Sequence, residues 1–276
     1  MRRTPFEVST LPGEQLSLIE TEQIDGIATI RMCGPRGLNV LSSAMLEALR
    51  QAFREVAHDE SARCLLISGN ERTFSAGADL REVQRMPPCE AYAYARNGQE
   101  TLNFLHNLPI PSIALIQGFA LGGGCELAIA ATFRIATRDA LLGLPELSLG
   151  LIPGFGGTQR LMRIVGQQKA LSMVLTGQRL PGVEAVTVGL VDQVVDADEL
   201  YPAGWRLANV LAQQPRYASG LALRAIHDGD SVPLDSGLLV EAEHFSKVFS
   251  HPDRTEGIAA FLEKRLPKFA VGSSNE

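Results

Sequence analysis

Residues 118–130 read GFALGGGCELAIA, and this stretch decides the fold. Gly122, Gly123 and Gly124 stop regular structure, an acid, Glu126, follows two residues later, and the chain then turns apolar. Just upstream, PSIALIQ (111–117) is a short apolar run with the length and composition of a buried strand. The order is strand, glycine turn, buried segment, with a carboxylate at its mouth. A charge in that setting must be solvated, paired or at work.

The same rhythm extends outward. LSLIETEQIDGIATIRM (16–32) alternates apolar and polar residues on both sides of Asp25-Gly26, a hairpin turn pair. In residues 41–57, Leu46, Leu49, Phe53 and Val56 recur at helical spacing after Ser42 or Ser43 as N-cap. RCLLIS (63–68) reads as a strand, TFSAGADLREV (73–83) as a tight turn entering a helix, and a long helix is predicted after Pro87-Pro88, ending near Asn107. FRIATRDALLG reads as strand and turn, residues 144–166 as a Gly- and Pro-rich loop leading into a helix, and 166–177 as a helix. Residues 181–195 read as a helix begun by Pro181, a turn at Gly189 and a last strand. From about residue 200 only helical spacing remains, with Trp205 as a core residue. An α/β core over 1–199 and a helical region over 200–276 are expected, with a mobile tail at 270–276.

The composition is that of an ordinary globular protein, 45% hydrophobic and 20% charged, with formal net charge −6. No basic cluster marks a nucleic-acid partner or an anionic membrane. No secretory signal is read in residues 1–15, and no apolar run reaches the length of about 18 residues that a membrane span needs. A cytoplasmic location is expected. The four cysteines, at 33, 64, 89 and 125, form no C-x-x-C pair and have no histidine at ligand spacing, so reduced thiols and no metal are expected. Cys125 lacks an evident base and reads as a small buried thiol.

Two glycine turns, SAGAD (75–79) and ALGGGCE (120–126), enter helices. Each can aim backbone N–H groups at a ligand, and facing one another they would form an oxyanion hole. Taken singly, each is equally at home as a packing turn. Neither fits a dinucleotide or P-loop pattern. Glu126 and Glu146 (in GLPELSLG) both lie in apolar sequence. Two neighbouring carboxylates can hold one water and split their proton affinities, although two unrelated helix-start acids would read the same way. The histidines at 58, 106, 227, 244 and 251 fall away from these motifs, Ser75 has no relay, and Asp79 reads as a helix cap.

With SAGADL before it and LPELSLGLIPGFGGTQRL after it, the opening stretch resembles the enoyl-CoA hydratase/isomerase (crotonase) family, in order and separation, over nearly the whole chain. The resemblance implies a spiral of ββα turns with C-terminal helices that mediate a homotrimer or a homohexamer. It implies an acyl-CoA thioester as substrate, with coenzyme A part of that substrate and no separate cofactor. Carried over by motif, the N–H groups of Ala78 and Gly123 are the oxyanion donors, and Glu126 and Glu146 are the catalytic acids. Ala76 matches the backbone position that contacts adenine, and Gly77, Asp79 and Gly122, in the same two turns, are carried over as substrate-binding. Arg36 and Leu38, in PRGLN, belong to the coenzyme A loop, and Lys264 would reach a phosphate across a subunit boundary.

Two acids resemble the hydratases, which add water across the C2–C3 double bond of a trans-2-enoyl-CoA. An isomerase, decarboxylase, hydrolase or carrier-protein-linked dehydratase on the same fold is the alternative, and a non-catalytic or RNA-binding relative the reading from another class. Thr132 replaces an aspartate common in the family, from which a local structural change is expected. NVL stands for the usual NAL, and Gln117 for a common asparagine.

Overall fold

The computed structural model describes residues 17–269. The segment read for a secretory signal and the tail 270–276 lie outside the described residues. The chain enters through β1 (Ile19–Ile24) and β2 (Ile27–Met32), an antiparallel hairpin. Its turn residues, Asp25 and Gly26, have φ of 51° and 78°, the pair of positive values that a two-residue type I′ turn demands. Helix α1 (Ser43–His58) starts where Ser42 accepts a hydrogen bond from Met45 N, and it buries Met45, Leu46, Leu49, Ala52 and Phe53.

From there the chain repeats one path, laying one strand in a large sheet, a short strand in a smaller sheet, then helix. The turns are β3 (Cys64–Ser68), β4 (Thr73–Ser75), α2 (Leu80–Arg85) and α3 (Ala91–His106); then β5 (Ser112–Ile116), β6 (Phe119–Leu121) and α4 (Gly123–Ala130); then β7 (Phe133–Thr137), β8 (Leu141–Gly143), α5 (Gly157–Val165) and α6 (Gln167–Thr176). After β9 (Arg179–Pro181), α7 (Gly182–Ala185) and β10 (Gln193–Val195), only helices follow: α8 (Leu200–Ala212), α9 (Arg216–Gly229), α10 (Leu234–Phe249) and α11 (Pro252–Leu262). The large sheet has the order β1-β2-β3-β5-β7-β10 and the small one β4-β6-β8-β9. Each turn is thus displaced one strand from the last, in both sheets at once: a ββα spiral.

The large sheet is covered on both faces, so its central strands are nearly continuous apolar runs. Ala28, Ile30, Leu65, Ile67, Ala114 and Ile116 face the main core. The alternate residues Ile27, Cys64, Leu66, Ile113, Leu115 and Ile135 meet α8 through Leu200, Ala203 and Ala208. Trp205 packs partly buried against that second cluster.

Two details refine the sequence reading. Pro181 opens the four-residue α7 as its N-cap and is also the last residue of β9, where its missing N–H leaves no ladder bond unmade. Thr132 joins two elements through its backbone and its hydroxyl. Its backbone N donates to Ser112 Oγ at 3.1 Å, and its Oγ1 accepts from Ser112 N at 3.1 Å, a reciprocal clasp that ties the end of α4 to the start of β5. Thr132→Val keeps the shape but leaves the buried Ser112 N–H without its acceptor. It is expected to lower stability by about 1–3 kcal/mol, read as a reduced urea midpoint with an unchanged slope.

Candidate active site

The site is assembled by the small sheet. β4, β6 and β8 are adjacent and parallel, so their C-terminal ends lie side by side, about 4.8 Å apart. The chain leaves β4 into the SAGAD turn, β6 into the triple glycine and β8 into a 3-10 turn over Glu146–Leu149. Ala78, Gly123 and Glu146 therefore come to one place because equivalent ends of three neighbouring strands do.

Glycine makes the approach possible at two points. Gly77 has φ +97°, and a Cβ on it would stand 2.6 Å from Leu121 O and 3.3 Å from Gly123 N. Gly122 has φ 53° and ψ −127°, a region closed to other residues, and a Cβ there would stand 2.9 Å from Glu146 Oε1. Gly123 opens α4, so its N–H has no intrahelical acceptor. Among the described residues, neither Gly123 N nor Ala78 N donates to a protein acceptor. Asp79 caps α2, accepting from Arg81 N at 2.9 Å.

The loop before α1 runs beside the SAGAD turn. Ala76 N donates to Leu38 O at 2.9 Å and Leu41 N to Gly77 O at 2.7 Å, which places exposed Leu38 and Ala76 on one rim, with exposed Arg36 two residues before Leu38. A residue missed in the sequence holds this rim. Asn39 is fully buried with φ 48°, and its Nδ2 donates to Thr73 O and Phe74 O at 3.0 and 3.2 Å. Its Oδ1 accepts from Gly34 N at 2.9 Å. Ser75, which lacks a relay, instead donates from Oγ to Asn39 O at 2.7 Å and accepts from Gly77 N at 3.2 Å. An asparagine in a short loop tolerates positive φ, and that was the signal available. Lys264 lies just past α11, on no element that carries the two glutamates.

Glu126 sits on the first turn of α4, 2% exposed. Its Oε1 accepts from Phe155 N at 2.8 Å and Gly157 N at 2.7 Å, so the PGFGG loop holds the carboxylate in one orientation. The Phe155 ring lies against Gly98 of α3 and over Gly123, and tilts against Tyr94 with centroids 5.4 Å apart. Burial pushes Glu126 up to about 7; the Glu146 charge adds to this, while the Gly157 and Phe155 N–H bonds and Arg160 oppose it. Burial also raises Glu146, whose Oε2 is buried without a partner. The Cys125 thiol, fully buried, is pushed up by burial and by both glutamates, and so stays a thiol. Among the described residues no group of three or more His, Cys, Asp or Glu is placed to hold a metal ion. His106 comes nearer the site than its sequence position suggests: it stacks on His227 at 4.0 Å and feels the charge of Arg160.

The buried carboxylate makes the site a stability burden above neutral pH. Folded Glu126 titrates near 7 and its ordinary value is 4.5, so between these the folded chain keeps a proton that the unfolded chain has released. Stability therefore falls as pH rises through this window and stays lower above it. Glu126→Gln keeps an acceptor oxygen for both N–H groups and removes the charge. Its Tm is expected to exceed that of the wild type at pH 8, by an equivalent of about 3 kcal/mol. The difference should vanish towards pH 4, as measured by calorimetry across pH.

Known proteins share this fold and much of this sequence. Residues 22–272 match the family model described as Enoyl-CoA hydratase/isomerase. The short-chain-enoyl-CoA hydratase of Clostridium acetobutylicum is 36% identical over 91% of this chain and 97% of its own. The crotonyl-CoA hydratase of Syntrophomonas wolfei is 36% identical over 90% of this chain and 96% of its own. The crystal structure of enoyl-CoA hydratase from Bacillus anthracis superposes with TM-score 0.89 at 36% identity, covering 93% of this chain and all of that one. With the spiral of paired strands and both glutamates in place, the chain belongs to the enoyl-CoA hydratase/isomerase family.

Proposed function

We propose that the protein is an enoyl-CoA hydratase, adding water in syn fashion across the C2–C3 double bond of a trans-2-enoyl-CoA thioester. One observation carries the reading: a buried carboxylate held by paired N–H donors and a half-buried one with an unpartnered oxygen, next to two unused backbone donors. The thioester oxygen accepts from Ala78 N and Gly123 N. These donors favour the enolate-like transition state, each by about 3–4 kcal/mol, and they leave C3 electrophilic. Glu126 spends Oε1 on Phe155 and Gly157 and turns its other oxygen to the water. Its proton affinity near neutrality suits a general base at working pH. Glu146, raised by burial, delivers the proton to C2. The coenzyme A moiety lies along the rim of Arg36, Leu38, Ala76, Gly77, Asp79 and Gly122.

Crotonyl-CoA tests this directly. The wild type is expected to abolish the conjugated thioester absorbance, whereas an isomerase, hydrolase or decarboxylase would give a different product. Glu146→Gln should lower kcat by about a thousandfold or more, the loss expected when a transition-state interaction is removed, with coenzyme A binding by calorimetry unchanged. Near wild-type hydration by that variant would remove Glu146 from the mechanism.

The same reading includes a trimer or a pair of trimers, in a cytoplasmic setting. Its support is the apolar surface of the C-terminal helices, where Leu239, Phe261 and Leu262 are 73%, 83% and 74% exposed. No helix among the described residues is long and apolar enough to cross a membrane. Lys264, beside that surface, would meet a phosphate bound by a neighbouring copy. Sedimentation should give a mass of three or six chains, and Phe261→Asp should shift it towards smaller species.

A further inference from the structure

We infer that Arg160 is a positioning residue for Glu126: its guanidinium clamps the turn whose N–H groups hold the Glu126 carboxylate, and its charge faces that carboxylate across the turn. The geometry begins with Phe155. Its N–H donates to Glu126 Oε1 at 2.8 Å, and its carbonyl accepts from Arg160 Nη1 at 3.0 Å. One residue thus carries the carboxylate on one side and the guanidinium on the other. The second arm of the fork, Nη2, donates to Asn103 Oδ1 at 2.6 Å, anchoring the clamp to α3. A second bond from α3, Gln99 Nε2 to Gly154 O at 3.0 Å, holds the preceding residue. Gly156, between the two donors to Glu126, has φ +110°, and a Cβ there would collide with Arg160 Nη1.

The placement runs against the local preference of the helix. Arg160 lies in the first turn of α5, where the dipole disfavours a cation. Among the described residues no carboxylate forms an ion pair with it, and the carboxylate whose charge it feels is Glu126. Burial lowers its own proton affinity, yet an arginine stays charged throughout the useful pH range. The other charged or titratable groups around Glu126 are Glu146 after β8, Tyr94 on α3 and Cys125 on α4. Tyr94 and Cys125 are both pushed up by burial and remain neutral. His106, at the end of α3 near Arg160, is lowered by burial to about 4 and is neutral above pH 5. Arg160 is thus the cation set against the Glu146 charge in determining when Glu126 ionises.

The catalytic consequence rests on the hydratase reading, but the effect on Glu126 does not. The carboxyl carbon of Glu126 is followed by 13C NMR in the ligand-free protein, assigned by its loss in Glu126→Gln. Arg160→Gln keeps a hydrogen-bonding amide and removes the charge. The Glu126 midpoint is then expected to rise by about one pH unit, and the acid limb of kcat/KM for crotonyl-CoA should rise with it. Arg160→Lys keeps the charge and loses the fork. The midpoint should rise by less than in Arg160→Gln, while kcat falls about tenfold at every pH and KM changes little. Asn103→Ala, at an exposed position, releases one arm with little risk to folding, and should move the midpoint in the same direction as Arg160→Gln by a smaller amount. A Glu126 midpoint unmoved in both Arg160→Gln and Asn103→Ala overturns the assignment. Failure of the wild type to hydrate crotonyl-CoA would sink the hydratase reading instead, with the carboxyl titration still deciding the role of Arg160.

Discussion

The parallel alignment of β4, β6 and β8 is the constraint on which the site depends. A parallel sheet brings chemically equivalent ends together, here the ends at which the SAGAD turn, the triple glycine and the Glu146 turn begin. Residues 45 and 23 positions apart in the chain (78 to 123, 123 to 146) become neighbours without any bond between their side chains. The large sheet supplies the stiffness for this. Its central strands are buried on both faces, and each is joined to its short partner in the small sheet by a brief connection. A shift of one strand would separate the two N–H donors, so the fold and the convergence of these donors stand together.

Glu126 is placed by a different logic. It is not at a strand end but one turn into α4, where burial disfavours its charge. The PGFGG loop compensates in part with two N–H donors on one oxygen, and among the described residues the other oxygen accepts no such bond. A fully satisfied carboxylate would be a weak base, and an unsatisfied one would be protonated. Two bonds on one oxygen lie between these limits and hold the group near neutrality. The balance opposes stability, because burial disfavours the charge more than the two N–H donors favour it.

The parts legible in the sequence share one property: each depends on a local signal. The hairpin follows from Asp25-Gly26, the helix start from Ser42, the buried strands from RCLLIS and PSIALIQ, and the cap of α2 from Asp79. The two donor turns and both acids were visible as residue types. Their meeting was legible only through the resemblance, because it depends on strand order across the small sheet. Asn39 and Arg160 were not singled out. Each acts through backbone atoms distant in sequence, Asn39 on Thr73 and Phe74, Arg160 on the loop that faces α4, and no periodicity records such contacts. Pro181 was read as a helix start, which it is, but β9 before it was not, because three residues carry too short a pattern and only pairing with β8 defines the strand.

Helix α3 ties the remaining pieces together. One face of it carries Tyr94 and Gly98 against the Phe155 ring, and the same helix bonds the 154–160 segment through Gln99 and Asn103. The ring that Gly98 receives belongs to the residue whose N–H orients Glu126. A change that moves α3, in order to lengthen or narrow the space beside Tyr94, therefore also moves the donor that fixes the carboxylate. The packing of α3 and the orientation of the carboxylate are coupled through one phenylalanine. A chain that alters the first can keep the second only if the arginine clamp holds the turn in place.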